Sequence, residues 1–343
     1  MITIPFYPDK IPVVFASDNK YVPFMSAAIQ SIVENSSQNR EYIFFIFHKE
    51  IKNDTMELII KQISPYNQFS IEFINVSDYI GRFDLFISRH VTIETYFRFL
   101  IPELLCEYQK VIYLDCDMII CADIAELFDI SMDNYIIAAM RDITVANWFY
   151  ASRLKKNTAG FRNSFPKLKN PSDYFVAGLL VFNIPLFRKT ISQEELFEVA
   201  ISNEWDWHDQ DVLNIIAEGK VFLLSFHWGV YIPDNIDYLP ENLKNEFYAA
   251  EKNPKIIHFV IKPWKFDFYI QHFEHFWKYA TRTPFINTIT NTMDIPKIHS
   301  YKGRILLNIS QRKLGFKFIF FDCIKALFFR NKKNKILSGK SAF

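Results

Sequence analysis

Apolar residues in this chain alternate between short continuous runs and stretches with helical spacing. Residues 11–16 form one run, which ends at Ser17, Asp18 and Asn19. Beyond it, Met25, Ala28, Ile29, Ile32 and Val33 recur every three or four positions. That order predicts a strand, a loop and an amphipathic helix. The next unit repeats it. Residues 42–47 read as a strand, Asp54 and Glu57 have the spacing of a capping box, and residues 58–63 continue a helix before a strand at 71–76.

The alternation persists through the middle of the chain. Residues 93–105 read as a helix, and 111–114, 136–140 and 175–184 as strands. A helix at 209–217 closes near Gly219, and strands follow at 221–224 and 255–260. Strands that alternate with helices predict an α/β fold with an open, mostly parallel sheet covered on both faces, because each crossover returns the chain in the same direction. Past residue 285 the pattern gives way to Thr, Asn and Pro and then to a basic, aromatic tail. The expected organisation is therefore a main domain over 1–285 and a C-terminal helical segment over 286–343.

Composition narrows the classes. Of 343 residues, 50% are hydrophobic and 36 are Phe, so material for a large core is plentiful. The 39 basic and 38 acidic side chains nearly cancel, which argues against a nucleic-acid partner. Cys106, Cys116, Cys121 and Cys323 lack the paired spacing of a zinc site or a disulfide framework, and a reducing compartment is expected. The first ten residues lack the basic-then-apolar layout of a secretory leader, and no uncharged apolar run approaches the roughly 20 residues a spanning helix needs. The expected location is cytoplasmic. In the tail, residues 314–330 place aromatics around a face ringed by Arg312, Lys313, Lys332, Lys333 and Lys335. That pattern suits either packing on the main domain or the surface of an anionic membrane.

The sharpest chemical signal is the run Val-Ile-Tyr-Leu-Asp-Cys-Asp at 111–117, where an apolar strand leads into two carboxylates. In extended chain Asp115 and Asp117 point the same way, and like charges so close repel unless a cation lies between them. Oxygen ligands favour Mn²⁺ or Mg²⁺, and the carboxyl end of a sheet strand is where open α/β folds bind ligands. A turn or helix cap is the other reading. Trp207-His208-Asp209-Gln210-Asp211 opens a helix and offers polar groups for a sugar's hydroxyls, or simply a cap. His258 ends a strand, where its imidazole suits a metal held by carboxylates, and Lys262 follows as a candidate phosphate contact. Ala177 and Gly178 are small residues inside an apolar strand, as close ligand approach or a bulge requires. Ala16, Asp18 and Asn19 follow the first strand, where a nucleotide's base and ribose or an Asx-turn would sit.

In this order, the segments Val13-Val14-Phe15-Ala16-Ser17-Asp18-Asn19, Thr95-Tyr96-Phe97-Arg98, 111–117, 175–183, Asp209-Gln210-Asp211-Val212-Leu213-Asn214 and 258–264 resemble the family 8 retaining glycosyltransferases. That group contains the bacterial lipopolysaccharide glucosyl- and galactosyltransferases. The resemblance implies a GT-A fold and a UDP-sugar donor, with a hexose passed to a glycan or lipid-linked acceptor with retention. It implies Mn²⁺ at Asp115, Asp117 and His258, with Cys116 beside them. Ala16, Asp18 and Asn19 would lie at the uridine, Arg98 near the diphosphate and donor sugar, Ala177 and Gly178 at the donor, and Lys262 at the phosphates. Asp209 and Gln210 would face the reacting side of the donor sugar, with Asp142 as a further sugar contact. Two features depart from the family pattern. Val176 stands where an Asn usually precedes Ala-Gly, and the stretch from His258 to Lys262 is short and lacks Gly. A glycoside hydrolase and a non-catalytic carbohydrate-binding or membrane scaffold are the competing readings, and the hydrolase would not need the Asp-x-Asp pair.

Overall fold

A computed structural model describes residues 4–87, 92–154, 168–233, 235–265 and 270–292. Strands β1 (Lys10–Ala16), β2 (Glu41–His48) and β3 (Phe69–Asn75) pair in parallel, and β1 also pairs in parallel with β4 (Lys110–Leu114). A short strand, β5 (Met118–Ile120), follows β4. The sheet continues through β7 (Phe175–Asn183), β6 (Ile137–Arg141) and β8 (Val221–Leu224), in the order β3-β2-β1-β4-β7-β6-β8. β7 runs against both neighbours, whereas β6 and β8 are parallel, so the sheet is mostly parallel as the alternation predicts. A second, two-stranded sheet pairs β5 with β9 (Ile256–His258) in antiparallel register, placing Met118 opposite His258.

Aromatic residues account for much of the core. Phe45, Phe47, Tyr96, Phe97, Phe99, Tyr113, Phe175, Phe182 and Phe197 share one buried cluster, each contributing about 1.5–3 kcal/mol of apolar burial. Helix α1 (Val22–Asn35) is buried along nearly its whole length, from Val22 through Val33.

Two local expectations fail for identifiable reasons. The Asp54–Glu57 capping box does not form: α2 (Asn53–Ile63) starts with Lys52 at its N-cap, so Asp54 lies inside the first turn and its Oδ1 accepts from the Thr55 backbone N–H at 2.7 Å. The helix expected over 93–105 is a 3-10 helix over Ile93–Leu100 followed by one α-turn, Ile101–Leu104. Pro102 lacks an N–H and its ring crowds the carbonyl four residues earlier, which disfavours a continuous α-helix through this point.

The chain separates into two compact units between Val260 and Ile261. The first carries both sheets. The second, described over 261–265 and 270–292, contains the helices Phe273–Ala280 and Ile286–Asn291, and Trp264 packs on Phe276 with ring centroids 5.0 Å apart. Residues 293–343, which include the basic aromatic stretch of the tail, lie outside the described residues. Among the described residues no helix is long and apolar enough to cross a membrane.

Candidate active site

β4 delivers Asp115 to the carboxyl edge of the large sheet. Tyr113 precedes it by two residues and so shares its side of the strand, and the Tyr113 hydroxyl donates to Asp115 Oδ1 at 2.8 Å. The Arg98 guanidinium donates to the same oxygen from Nη2 at 2.9 Å and lies 3.1 Å through Nε from Asp209 Oδ2. It also stacks 4.4 Å over the Tyr113 ring. Burial would lower the Arg98 pKa, but Asp115 and Asp209 more than offset that and hold it charged. Burial pushes the Asp209 carboxyl up to about 6 despite its Arg98 partner and its short hydrogen bond from the Thr95 hydroxyl.

After Asp115 the chain turns out of the strand. The Cys116 thiol donates to the Ala16 carbonyl at 3.2 Å, tying this turn to the end of β1. Burial keeps that thiol neutral. Asp117 is 9% exposed, and its backbone carbonyl accepts from the Phe259 N–H at 2.9 Å just beyond β9. β9 itself positions His258, whose Nε2 lies 3.3 Å from Asp117 Oδ1. Ligand atoms of Asp115, Asp117 and His258 all fall within 4.8 Å of one another.

These side chains fit a divalent cation on two counts. Asp115, Asp117 and Asp209 bring three carboxylates against the one guanidinium that pairs with two of them, leaving negative charge for a cation to cancel. The space is also kept open: a Cβ on Gly178 would lie 2.8 Å from Asp115 Oδ2, from His258 Cε1 and from Met118 Cε. Two carboxylates and an imidazole suit Mn²⁺.

Gly178 belongs to a bulge, one of the two readings that its sequence position allowed. In the β6–β7 pairing, Ala139 faces Leu180 while Met140 faces Val176, so residues 177–179 have no partner in β6. Their backbone groups bind site residues instead. The Ala177 N–H donates to Gln210 Oε1 at 2.9 Å, the Ala177 carbonyl accepts from Arg98 Nη1, and the Gly178 carbonyl accepts from the Asp115 N–H at 2.8 Å. One turn beyond Gln210, Asn214 clamps the same strand, accepting from the Phe175 N–H and donating to the Phe175 carbonyl, both at 2.9 Å. The helix Asp209–Ile216 is thus keyed to β7. His208 is its N-cap, at φ 49°, and Asp209 engages Arg98 and Thr95 rather than capping.

Gln210 Nε2 reaches Asp142 Oδ2 at 3.4 Å. Asp142 follows β6, and its Oδ1 accepts from the backbone of Thr144 and Val145, each at 3.0 Å, and from the Tyr231 hydroxyl at 2.8 Å. Burial raises the Asp142 pKa, and those donors partly offset it.

At the end of β1, Asp18 Oδ1 accepts from the Tyr21 N–H at 2.7 Å, the local turn that its sequence allows, and Asn19 Oδ1 accepts from the Lys52 N–H at 3.1 Å. Val176 is buried in an apolar cluster with Met140, Ile143, Ala146 and Tyr231, so its side chain extends the core where an amide would need partners. Lys262 belongs to the second unit. Sequence reading gave no role to Tyr113, Thr95 or Tyr231. The two-residue spacing from Asp115 signals Tyr113, whereas Tyr231 sits in a segment whose pattern signals nothing.

A relative from Bacillus subtilis, "General stress protein A", is 25% identical over 291 residues, 81% of this chain and 96% of that protein. The lipopolysaccharide 1,2-glucosyltransferase of Escherichia coli is 22% identical over 258 residues, 74% of this chain and 72% of that protein. Among solved structures, the apo bifunctional glycosyltransferase WbbM superposes with a TM-score of 0.72 and 26% identity, covering 84% of this chain and 53% of its own, so the chain spans about half of that enzyme. The architecture is the GT-A type. The family model described as glycosyl transferase family 8 matches residues 12–267, a span that holds every site residue described above, and the chain belongs to that family.

Proposed function

We propose that the chain transfers a hexose, glucose or galactose, from a UDP-sugar to a glycan or lipopolysaccharide-type acceptor, with retention and with dependence on Mn²⁺. The observation that carries this reading is the convergence of Asp115, Asp117 and His258 around Gly178. Membership of a glycosyltransferase family sets aside the hydrolase reading, and the resemblance to a lipopolysaccharide glucosyltransferase supports the acceptor class.

When bound at Asp115, Asp117 and His258, a divalent ion supplies the charge that stabilises the departing diphosphate. The chain's own groups set the rest. Ala16, Asp18 and Asn19 line the uridine end, and Cys116 fixes the distance between that end and the carboxylates. Arg98 stands behind Asp115 and Asp209 and positions both. Gln210, oriented by Ala177 and Asp142, faces the donor sugar. Its amide is a poor nucleophile, and Asp209 is buried and ion-paired, so neither suits a covalent intermediate. Retention therefore proceeds by attack of the acceptor hydroxyl on the face that UDP vacates, and a UDP oxygen takes its proton. Lys262 is the proposed contact to the phosphates. The tail beyond residue 292 is the proposed contact with an anionic membrane.

The test is a hydrolysis screen of UDP-sugars with Mn²⁺. One UDP-hexose should turn over, and EDTA or Asp117→Ala should stop it; full turnover in EDTA would refute the scheme. A catalytically dead scaffold would bind UDP and hydrolyse no sugar. For the tail, loss of co-sedimentation with anionic liposomes on removing residues 312–343 is the expected result.

A further inference from the structure

The second unit carries its own cluster of ligating side chains. His272, Glu274 and His275 offer donor atoms within 4.8 Å of one another at the start of the helix Phe273–Ala280. Three features set this group apart from an ordinary helix start. His272 is the N-cap in the left-handed region, at φ 64° and ψ 10°, a conformation that costs a non-glycine residue energy. The imidazoles of His272 and His275 sit with centroids 5.9 Å apart. The His275 N–H donates to the His272 carbonyl at 2.9 Å, and Glu274 brings a carboxylate oxygen within 4.8 Å of a ring nitrogen of each.

We infer that His272, Glu274 and His275 form a second cation site, selective for Zn²⁺ over Mn²⁺. Two imidazoles and one carboxylate are a donor set that zinc accepts with three protein ligands and one open position. Tetrahedral bonds of about 2.0–2.1 Å place ligand atoms roughly 3.4 Å apart, so the present spacing closes by small rotamer changes. All three residues are half-buried. The Glu274 carboxylate offsets the positive end of the helix, which by itself would oppose a cation. The nearby Lys278 ammonium turns to the Tyr279 hydroxyl at 3.0 Å. The site rests on residues of the second unit alone, and it stands whether or not the proposed transferase reaction is correct.

The experiment uses the full chain with Asp115→Ala and Asp117→Ala, so that the carboxylate pair contributes no binding. After dialysis against EDTA and then chelator-free buffer, Zn²⁺ is titrated in competition with a chromogenic chelator. One equivalent should bind, and Mn²⁺ in large excess should not displace it. His275→Ala should weaken binding at least ten-fold. His272→Asn should do the same while keeping a residue that tolerates the left-handed backbone, so it decides the matter if His275→Ala fails to fold. Glu274→Gln should weaken binding several-fold. No zinc uptake by the parent, or undiminished affinity in folded His272→Asn, overturns the inference.

Discussion

Arg98 pairs with the half-buried Asp115, Nη2 to Oδ1 at 2.9 Å, and the same cation forms a buried ion pair with Asp209 at 3.1 Å. One guanidinium thus sets the positions of two carboxylates with different tasks, one facing the proposed metal and one beside Gln210. Removing one partner of such a pair leaves charge buried and uncompensated, at a cost of about 3–5 kcal/mol. Arg98→Met should therefore lower unfolding stability by that order and abolish donor turnover. Arg98→Lys, which keeps the charge but not the fork, should fold better and still turn over slowly. Urea unfolding with parallel donor hydrolysis checks both, and wild-type turnover in Arg98→Lys would contradict the positioning role.

Gly178 gives a separate handle on the metal. An added methyl would meet Asp115 Oδ2, His258 Cε1 and Met118 Cε at 2.8 Å, so at least two proposed ligands must shift. Gly178→Ala should weaken Mn²⁺ binding about ten-fold or more while costing about 1–3 kcal/mol of stability, as overpacking does. A Mn²⁺ titration followed by electron paramagnetic resonance reads this directly; unchanged affinity would mean that the ion, if bound, sits elsewhere.

Much of this site was legible in the chain because it lies where apolar runs stop. Asp115 ends a strand that the sequence marks plainly, and Gly178 stands out as a small residue in another. Tertiary arrangement was harder to read. The reversed direction of β7 and its bulge depend on pairing with β4 and β6, which local pattern does not encode. Arg98 carries no sequence mark of its dual partners, since Asp115 and Asp209 are distant in the chain and meet it only through the fold. Capping failed as a guide at Asp54 because a two-residue shift of the helix start, with Lys52 at the N-cap, moves every cap position.

Asp209 makes stability and activity move oppositely with pH. Its folded pKa, about 6, lies above the ordinary value of 3.8 because burial disfavours the anion. The folded state therefore binds the proton more tightly than the unfolded chain. The resulting stabilisation is full below about pH 4 and disappears as pH rises through 6. Acidifying from pH 7 to pH 5 should recover roughly 1 kcal/mol in the wild type, an increment missing from Asp209→Asn. Over the same range turnover should fall, because protonated Asp209 releases Arg98. Paired unfolding curves for wild type and Asp209→Asn at the two pH values isolate this residue from other titrations.

Tyr231 links a segment that the sequence pattern does not mark to the reacting side of the site. Its hydroxyl donates to Asp142 Oδ1 at 2.8 Å, and Asp142 Oδ2 in turn accepts from Gln210 Nε2 at 3.4 Å. Tyr231→Phe removes one of three donors to Oδ1 and leaves the backbone N–H groups of Thr144 and Val145 in place. Stability should fall by about 1.5–3 kcal/mol, the worth of a hydrogen bond to a charged group. The larger effect falls on Asp142 itself, whose pKa burial already raises. With a donor gone its carboxyl protonates more readily, and a neutral carboxyl no longer fixes which face the Gln210 amide presents. Donor turnover should therefore fall, with the acidic limb of the rate profile displaced to higher pH. A merely structural hydroxyl would lower stability and leave that limb where it is.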